Sequence, residues 1–72
     1  MTYTFHTAKG PFYIVERGRW HVIYDGESLG SYHSPRAAAS DLSGGHTSSP
    51  GNGVDPAALR IPEDLGEWEV SK

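Results

Sequence analysis

The segment WHVIYDGESLGSYHSPRAAASDL, residues 20–42, decides the fold because it holds the signals for a β-hairpin and for the helix that follows it. Asp25-Gly26 is the strongest short hairpin signal in the chain, since these residue types accept the positive φ angles of a tight turn. Ser34-Pro35 marks a helix start, because serine caps free N–H groups and proline at the first helical position loses no hydrogen bond. Gly44-Gly45 is typical of a helix end. The segment therefore predicts two paired strands followed directly by a short helix.

Alternation along these strands assigns their residues to the two faces of the sheet. With Asp25-Gly26 as the turn, Val22 is expected to pair with Leu29, and Trp20 with Ser31. Trp20, Val22 and Leu29 then form the predicted core face. The residues predicted on the other face are His21, Ile23, Ser28 and Tyr32.

Two more strand-like segments precede this hairpin. TYTFHT at 2–7 alternates polar and aromatic residues, and FYIVER at 12–17 is rich in β-branched and aromatic residues. Gly18 can supply the tight turn into the next strand. We therefore expect an α+β fold, with a three- to four-stranded antiparallel β-meander and one α-helix packed on a face.

The remainder of the chain is divided by a loop of unusual composition. SGGHTSSPGNG at 43–53 is rich in glycine and serine, and we expect it to be mobile in its middle and fixed at both ends. Asp55-Pro56 repeats the capping signal, which predicts a short helix. The large apolar residues of the acidic segment 54–72 predict that it packs back on the domain, with EWEV at 67–70 as an edge strand. A single domain, residues 1–72, is expected.

Composition restricts the possible partners. The 72 residues carry a net charge of −3 and no cysteine. All of that net charge falls in residues 43–72, which disfavours nucleic acid as a partner. Its acidic residues are typical of a solvated surface, or they attract a basic partner. No apolar run is long enough to span a bilayer, and residues 1–10 lack signal-peptide features, so a cytoplasmic location without a membrane partner is expected.

Residues 20–42 resemble the β-hairpin-then-helix core of AP2-type and phage-integrase arm-binding DNA domains. Those families show a Trp-bearing strand, a turn, a strand end of the form Leu-Gly-x-aromatic-x-Ser/Thr, and a helix with paired alanines. The positions that match are Trp20, Leu29, Gly30, Tyr32, Ser34, Ala37 and Ala38. The resemblance implies a β-β-β-α topology whose exposed sheet face binds nucleic acid.

A second resemblance covers nearly the whole chain. The combination of GRWHV, LGSYHSPRAAASDLSGGHT, GVD and IPEDLGEWE is similar to a group of small uncharacterised proteobacterial proteins. This resemblance implies a stand-alone bacterial protein, and it carries no activity.

Histidines are the candidates for metal or acid–base chemistry near neutral pH. The four are His6, His21, His33 and His46, and none has a recognised ligand spacing. His46 is better interpreted as meeting the free carbonyls at the helix C-terminus. No catalytic, cofactor-binding or metal-binding residue is therefore predicted, and the protein is not expected to be an enzyme.

Three hypotheses about function remain open. The first is a non-enzymatic protein that binds another protein or forms a homodimer. The second is nucleic-acid binding through the sheet, which requires that the candidate interaction surface projects from one exposed face and that binding weakens with salt. Its residues are Arg17, Arg19, His21 and Tyr32. The third is a small enzyme or ligand site, which requires at least two histidines in one pocket.

The same surface raises a question about Trp20. It is expected in the core with Val22 and Leu29, and the alternative is an exposed ring beside Arg17 and Arg19 on which a base or peptide stacks.

Overall fold

A single antiparallel sheet of five strands forms one layer of the protein, and a computed structural model describes it over residues 1–72. The strand order is β4-β3-β2-β1-β5. The strands are β1 (Thr2–Thr7), β2 (Gly10–Arg17), β3 (Arg19–Tyr24), β4 (Glu27–Tyr32) and β5 (Glu69–Ser71), and the helix is α1 (Pro35–Gly44). Two 3-10 turns follow the helix, the first at Pro56–Leu59 and the second at Leu65–Glu67.

The α+β class, the meander and the single packed helix are confirmed. The sheet has five strands instead of three or four because the C-terminal edge strand pairs with β1, where Thr2 lies opposite Ser71. The predicted turn between β3 and β4 is confirmed as well, with φ angles of 53° at Asp25 and 76° at Gly26. Positive φ at both central residues defines the type I′ turn that fits strand twist.

A β-bulge in β4 changes the register that alternation predicted. Tyr24 lies opposite Glu27 as expected, but Val22 lies opposite Gly30 and Trp20 lies opposite Tyr32. The predicted pairs Val22–Leu29 and Trp20–Ser31 are therefore wrong. Leu29 is the extra residue, and an extra residue shifts the alternation of everything after it by one position.

The core lies between the sheet and the helical layer. It is one cluster of ten buried residues, namely Phe12, Ile14, Val22, Tyr24, Leu29, Ala38, Ala39, Leu42, Ile61 and Trp68. The alanines of α1 let the helix approach the sheet closely. Ile61 and Trp68 belong to the same cluster, so the C-terminal segment packs on the helix side of the sheet. Trp20 is half-buried and packs against this cluster, with its ring centroid 5.9 Å from that of Tyr3, so it lies on the core side of the sheet as predicted.

Both ends of α1 follow the capping rules that the sequence indicated. The Ser34 hydroxyl accepts a hydrogen bond from the Ala37 N–H at 3.1 Å. At the other end Gly45 has φ 76°, and its N–H donates to the Leu42 carbonyl. The His46 N–H donates to the Asp41 carbonyl, which completes a Schellman motif. The His46 backbone makes this contact, whereas the prediction gave the role to its side chain.

Tyr24 links the sheet to two connections. Its ring stacks on the opposite Phe12 ring, with centroids 4.1 Å apart and planes 8° from parallel. Its hydroxyl donates to the Lys9 carbonyl at 2.6 Å and accepts from the Asn52 amide at 3.2 Å. One buried side chain therefore fixes both the β1–β2 turn and the loop that follows the helix.

The loop 43–53 runs along the free edge of β4. The Ser48 N–H donates to the Leu29 carbonyl at 2.9 Å, and the Gly51 N–H donates to the Glu27 carboxylate at 2.8 Å. Pro50 between them is buried. The loop thus has anchors inside its length as well as at its ends, and mobility of its middle stays a prediction.

Hydrogen exchange tests this arrangement of the loop. We expect the Ser48 and Gly51 amides to exchange more slowly than the Ser49 amide, because both donate to β4. Glu27→Ala should abolish the protection of Gly51 and preserve that of Ser48, as measured by NMR. Equally fast exchange at all three amides in the unmodified protein would show that the loop is not hydrogen-bonded to the edge of β4.

Gly30 offers a test of the bulge. A Cβ at this position would lie 2.9 Å from the Tyr32 hydroxyl oxygen and 3.0 Å from Tyr32 Cε2. We therefore expect Gly30→Ala to lower the free energy of unfolding by about 1–3 kcal/mol, the usual cost of overpacking. Denaturant unfolding measures this change.

The matched control is Gly51→Ala, where the nearest atom would lie 3.5 Å away and the effect should stay within about 0.5 kcal/mol. In a Tyr32→Ala background the added cost of Ala at Gly30 should disappear. Equal stability of the Gly30→Ala and Gly51→Ala proteins would contradict the placement of the Tyr32 ring over Gly30.

Candidate interaction surface

The face of the sheet opposite α1, called the outer face below, is formed by alternate residues of all five strands. Pairing fixes its two central rows, because residues directly opposite each other share a face. One row is Ser31, His21, Val15, Thr2 and Ser71, and the other is Ser28, Ile23, Tyr13, Thr4 and Glu69. The helix and the C-terminal segment bury their apolar residues in the cluster on the other side. They therefore leave the outer face uncovered.

An apolar strip crosses the middle of the outer face. It consists of Tyr13, Val15 and Ile23, all half-buried by their neighbours within the sheet. A shallow depression of about 210 Å³ lies beside the strip and is lined by Val15, Arg17, His21, Ile23 and Ser28. Contact with a partner would bury this apolar surface and thereby contribute favourable free energy.

Two arginines form one end of the outer face. Arg17 and Arg19 lie opposite each other beside the β2–β3 turn, and both are exposed. The Arg19 guanidinium donates to the Ser31 hydroxyl at 3.1 Å and to the Ser31 carbonyl at 3.2 Å. The two ion pairs of the protein involve other residues, so neither arginine is neutralised by a carboxylate. Both charges are available to an acidic group.

His21 stands between the arginines and the apolar strip. Its Nε2 lies 3.3 Å from the Arg17 carbonyl oxygen, a contact that holds the ring against the β2–β3 turn. Three of the four predicted surface residues, Arg17, Arg19 and His21, therefore come together on one uncovered face.

Tyr32 does not belong to this surface. The bulge turns its side chain to the helix side, where it packs against the core cluster and its ring lies over Gly30. Tyr13, which stands in the row beside Ile23, is the aromatic residue of the outer face, and the sequence interpretation did not select it. The signal was present in β2, where buried Phe12 and Ile14 alternate with Tyr13 and Val15, but all four are apolar or aromatic.

The opposite corner of the outer face is acidic. Glu69 begins β5, and one of its carboxylate oxygens lies 3.4 Å from Nε2 of His6. These side chains are 76% and 66% exposed, so the contact is weak. The outer face thus carries positive charge at one corner and negative charge at the other.

The histidines lie apart from one another. None of the four pockets is lined by more than one histidine, so the structure lacks the shared pocket that a histidine-based site requires. There is also no group of three His, Cys, Asp or Glu residues placed to hold a metal ion. The largest pocket, about 480 Å³, lies between α1 and the second 3-10 turn and is lined by Arg36, Ser40, Glu63, Asp64 and Leu65.

Comparisons with family models, curated proteins and solved structures find no match to this chain. The resemblances of residues 20–42 and of the whole chain therefore stay predictions. No helix of the protein combines the length and the apolar character that crossing a bilayer requires. A cytoplasmic location and a bacterial source likewise stay predictions.

Tyr32 provides a pH test of its placement. Burial raises the pKa of its hydroxyl above the ordinary value of 10.0, and the nearby negative charge of the Asp41 carboxylate raises it further. The unfolded chain therefore ionises at lower pH than the folded protein. The resulting stabilisation is complete below about pH 10 and is lost as the pH rises through the folded pKa.

We accordingly expect the free energy of unfolding to fall more steeply above pH 10 in the unmodified protein than in Tyr32→Phe. Asp41→Asn should show a decline of intermediate steepness, because it retains the effect of burial on the Tyr32 pKa and removes the effect of the Asp41 charge. Thermal unfolding of the three proteins between pH 8 and 12 measures how steeply their stability falls. Identical pH profiles for the unmodified and Tyr32→Phe proteins would place Tyr32 in solvent.

Proposed function

We propose that this protein is a non-enzymatic binding protein whose outer face is the contact surface for a protein partner. The observation that supports it is the apolar strip of half-buried Tyr13, Val15 and Ile23, which neither the helix nor the C-terminal segment covers. An apolar surface bordered by charged groups is the usual anatomy of a protein interface.

The charges around the strip agree with this kind of partner. Arginine and tyrosine are enriched in interfaces, where they combine apolar contact with hydrogen bonding. Arg17 is exposed and has no acidic partner, and Tyr13 lies on the same face, four residues away along β2. A partner that offers a carboxylate beside an apolar group would contact both.

Nucleic-acid binding is the second candidate function, and one observation favours it. Arg17, Arg19 and His21 share the uncovered face, whereas Tyr32, the fourth residue that this hypothesis required there, lies on the helix side. Two arginines would neutralise about two phosphates, so log K for duplex DNA would fall with log salt at a slope of about −2. The net charge of −3 opposes this mode and leaves it second.

Site-specific photocrosslinking in the expressing cells tests the proposed function. A benzoylphenylalanine residue replaces Ile23 on the outer face, and a control protein carries it in place of Ala58, an exposed residue of the first 3-10 turn. We expect discrete protein adducts from position 23 and none from position 58. Adding Val15→Asp should weaken the position-23 adducts about tenfold or more, because burial of the valine contributes about 1.5–3 kcal/mol.

The alternative outcomes are distinct. Adducts that nuclease digestion removes would replace the proposal with the nucleic-acid function. Equal adducts from positions 23 and 58 would overturn the proposal of a protein contact on the outer face. A lack of adducts from both positions would overturn it as well when the protein also stays monomeric at millimolar concentration.

A further inference from the structure

The charged corners of the outer face lie at positions that can face each other in two copies of the chain. Glu69 stands in the same row as Tyr13, two strands away, and Arg17 lies four residues beyond Tyr13 along β2. With strands about 4.8 Å apart and a rise of about 3.3 Å per residue, Arg17 and Glu69 are roughly 16 Å apart. The two corners are thus on opposite sides of the apolar strip.

A two-fold axis in the plane of a face-to-face contact exchanges these corners. The same spacings locate the axis that brings Arg17 of one copy over Glu69 of the other. This axis passes over Thr2 in β1, then between Tyr13 and Val15 in β2, and reaches Ile23 in β3. Arg19 then also approaches the acidic corner of the second copy. Along the axis the apolar strip of one copy meets the same strip of the other, as an isologous interface requires.

The geometry of such a contact is one that sheets adopt. The axis makes the strands of the two copies cross at roughly 75°, close to the orthogonal class of sheet packing. Glu69 is available for the contact, because its pair with His6 is exposed and therefore weak.

The area of the outer face limits the strength of the contact. The two largest extents of the molecule are 29 and 21 Å. They give the outer face a flat area of about 600 Å² per copy, too small for the contact to exceed the standard size of roughly 800 Å² of accessible surface per partner by much. A dimer of this size dissociates on dilution.

We propose that the partner bound on the outer face is a second copy of this chain, held in a weak two-fold dimer by the apolar strip and by reciprocal Arg17–Glu69 contacts. This inference rests on the proposed function and names its partner.

Analytical ultracentrifugation of the full chain with charge-swapped variants tests the dimer. We expect the unmodified protein to be monomeric at about micromolar and dimeric at about millimolar concentration. Arg17→Glu or Glu69→Arg alone should raise the dissociation constant about tenfold, since each breaks two contacts per dimer. The double variant Arg17→Glu/Glu69→Arg should restore the dissociation constant of the unmodified protein. The control Glu67→Arg makes an equal charge change in the second 3-10 turn and should leave the dissociation constant unchanged.

Concentration-dependent amide shifts locate the contact. We expect changes at Thr4, Tyr13, Val15 and Ile23, and circular dichroism verifies that each variant is folded. A dimer whose shifts map to the free edge of β5, or one that the double variant does not restore, would overturn the inference.

The two proposals can fail separately. A protein that stays monomeric at millimolar concentration while position 23 crosslinks to a different protein would overturn the dimer and leave the proposed function standing. The absence of both self-association and crosslinks would overturn both.

Discussion

The extra residue in β4 determines how the two layers of this protein meet. Because of it, Leu29 enters the core and Tyr32 also turns to the helix side, although simple alternation would place them on opposite faces. Gly30 leaves room for the Tyr32 ring, and that ring in turn lies beside Asp41 of α1. The helix follows β4 after only two residues, so the bulge also affects the position at which α1 begins to pack on the sheet.

Local signals were sufficient for most of the fold. The Asp25-Gly26 turn and the Ser34 and Gly45 caps depend on residues within a few positions, and all three occur as the sequence indicated. The bulge and the second 3-10 turn have weaker local signals, namely Gly30 inside β4 and the capping Asp64, and these signals do not show which residue of β4 is extra. The bulge places both Leu29 and Tyr32 against the core cluster, whose other members come from β2, β3, α1 and the C-terminal segment, so the sequence of β4 alone does not show these contacts.

Only part of the outer face was predicted, and the bulge in β4 is again one reason. Arg17, Arg19 and His21 precede the bulge along the β2–β3 hairpin, so simple alternation placed them correctly. Tyr32 follows the bulge and was assigned to the wrong face. Tyr13 escaped notice because β2 has apolar residues on both faces, and a strand without polar contrast does not show which side is buried. Apolar residues on both faces of β2 are also what an uncovered apolar strip looks like in the sequence.

The pairing of β5 with β1 has a consequence for folding kinetics. Strands β1 to β4 are joined by short turns, so their contacts are local and can form early. Thr2 meets Ser71 only when nearly the whole chain closes into a ring, and such closure carries a larger entropic cost. With three residues, β5 adds few hydrogen bonds to offset that cost. We therefore expect β5 to dock last and to detach first, in a partial opening that frees the edge of β1 while the hairpins persist.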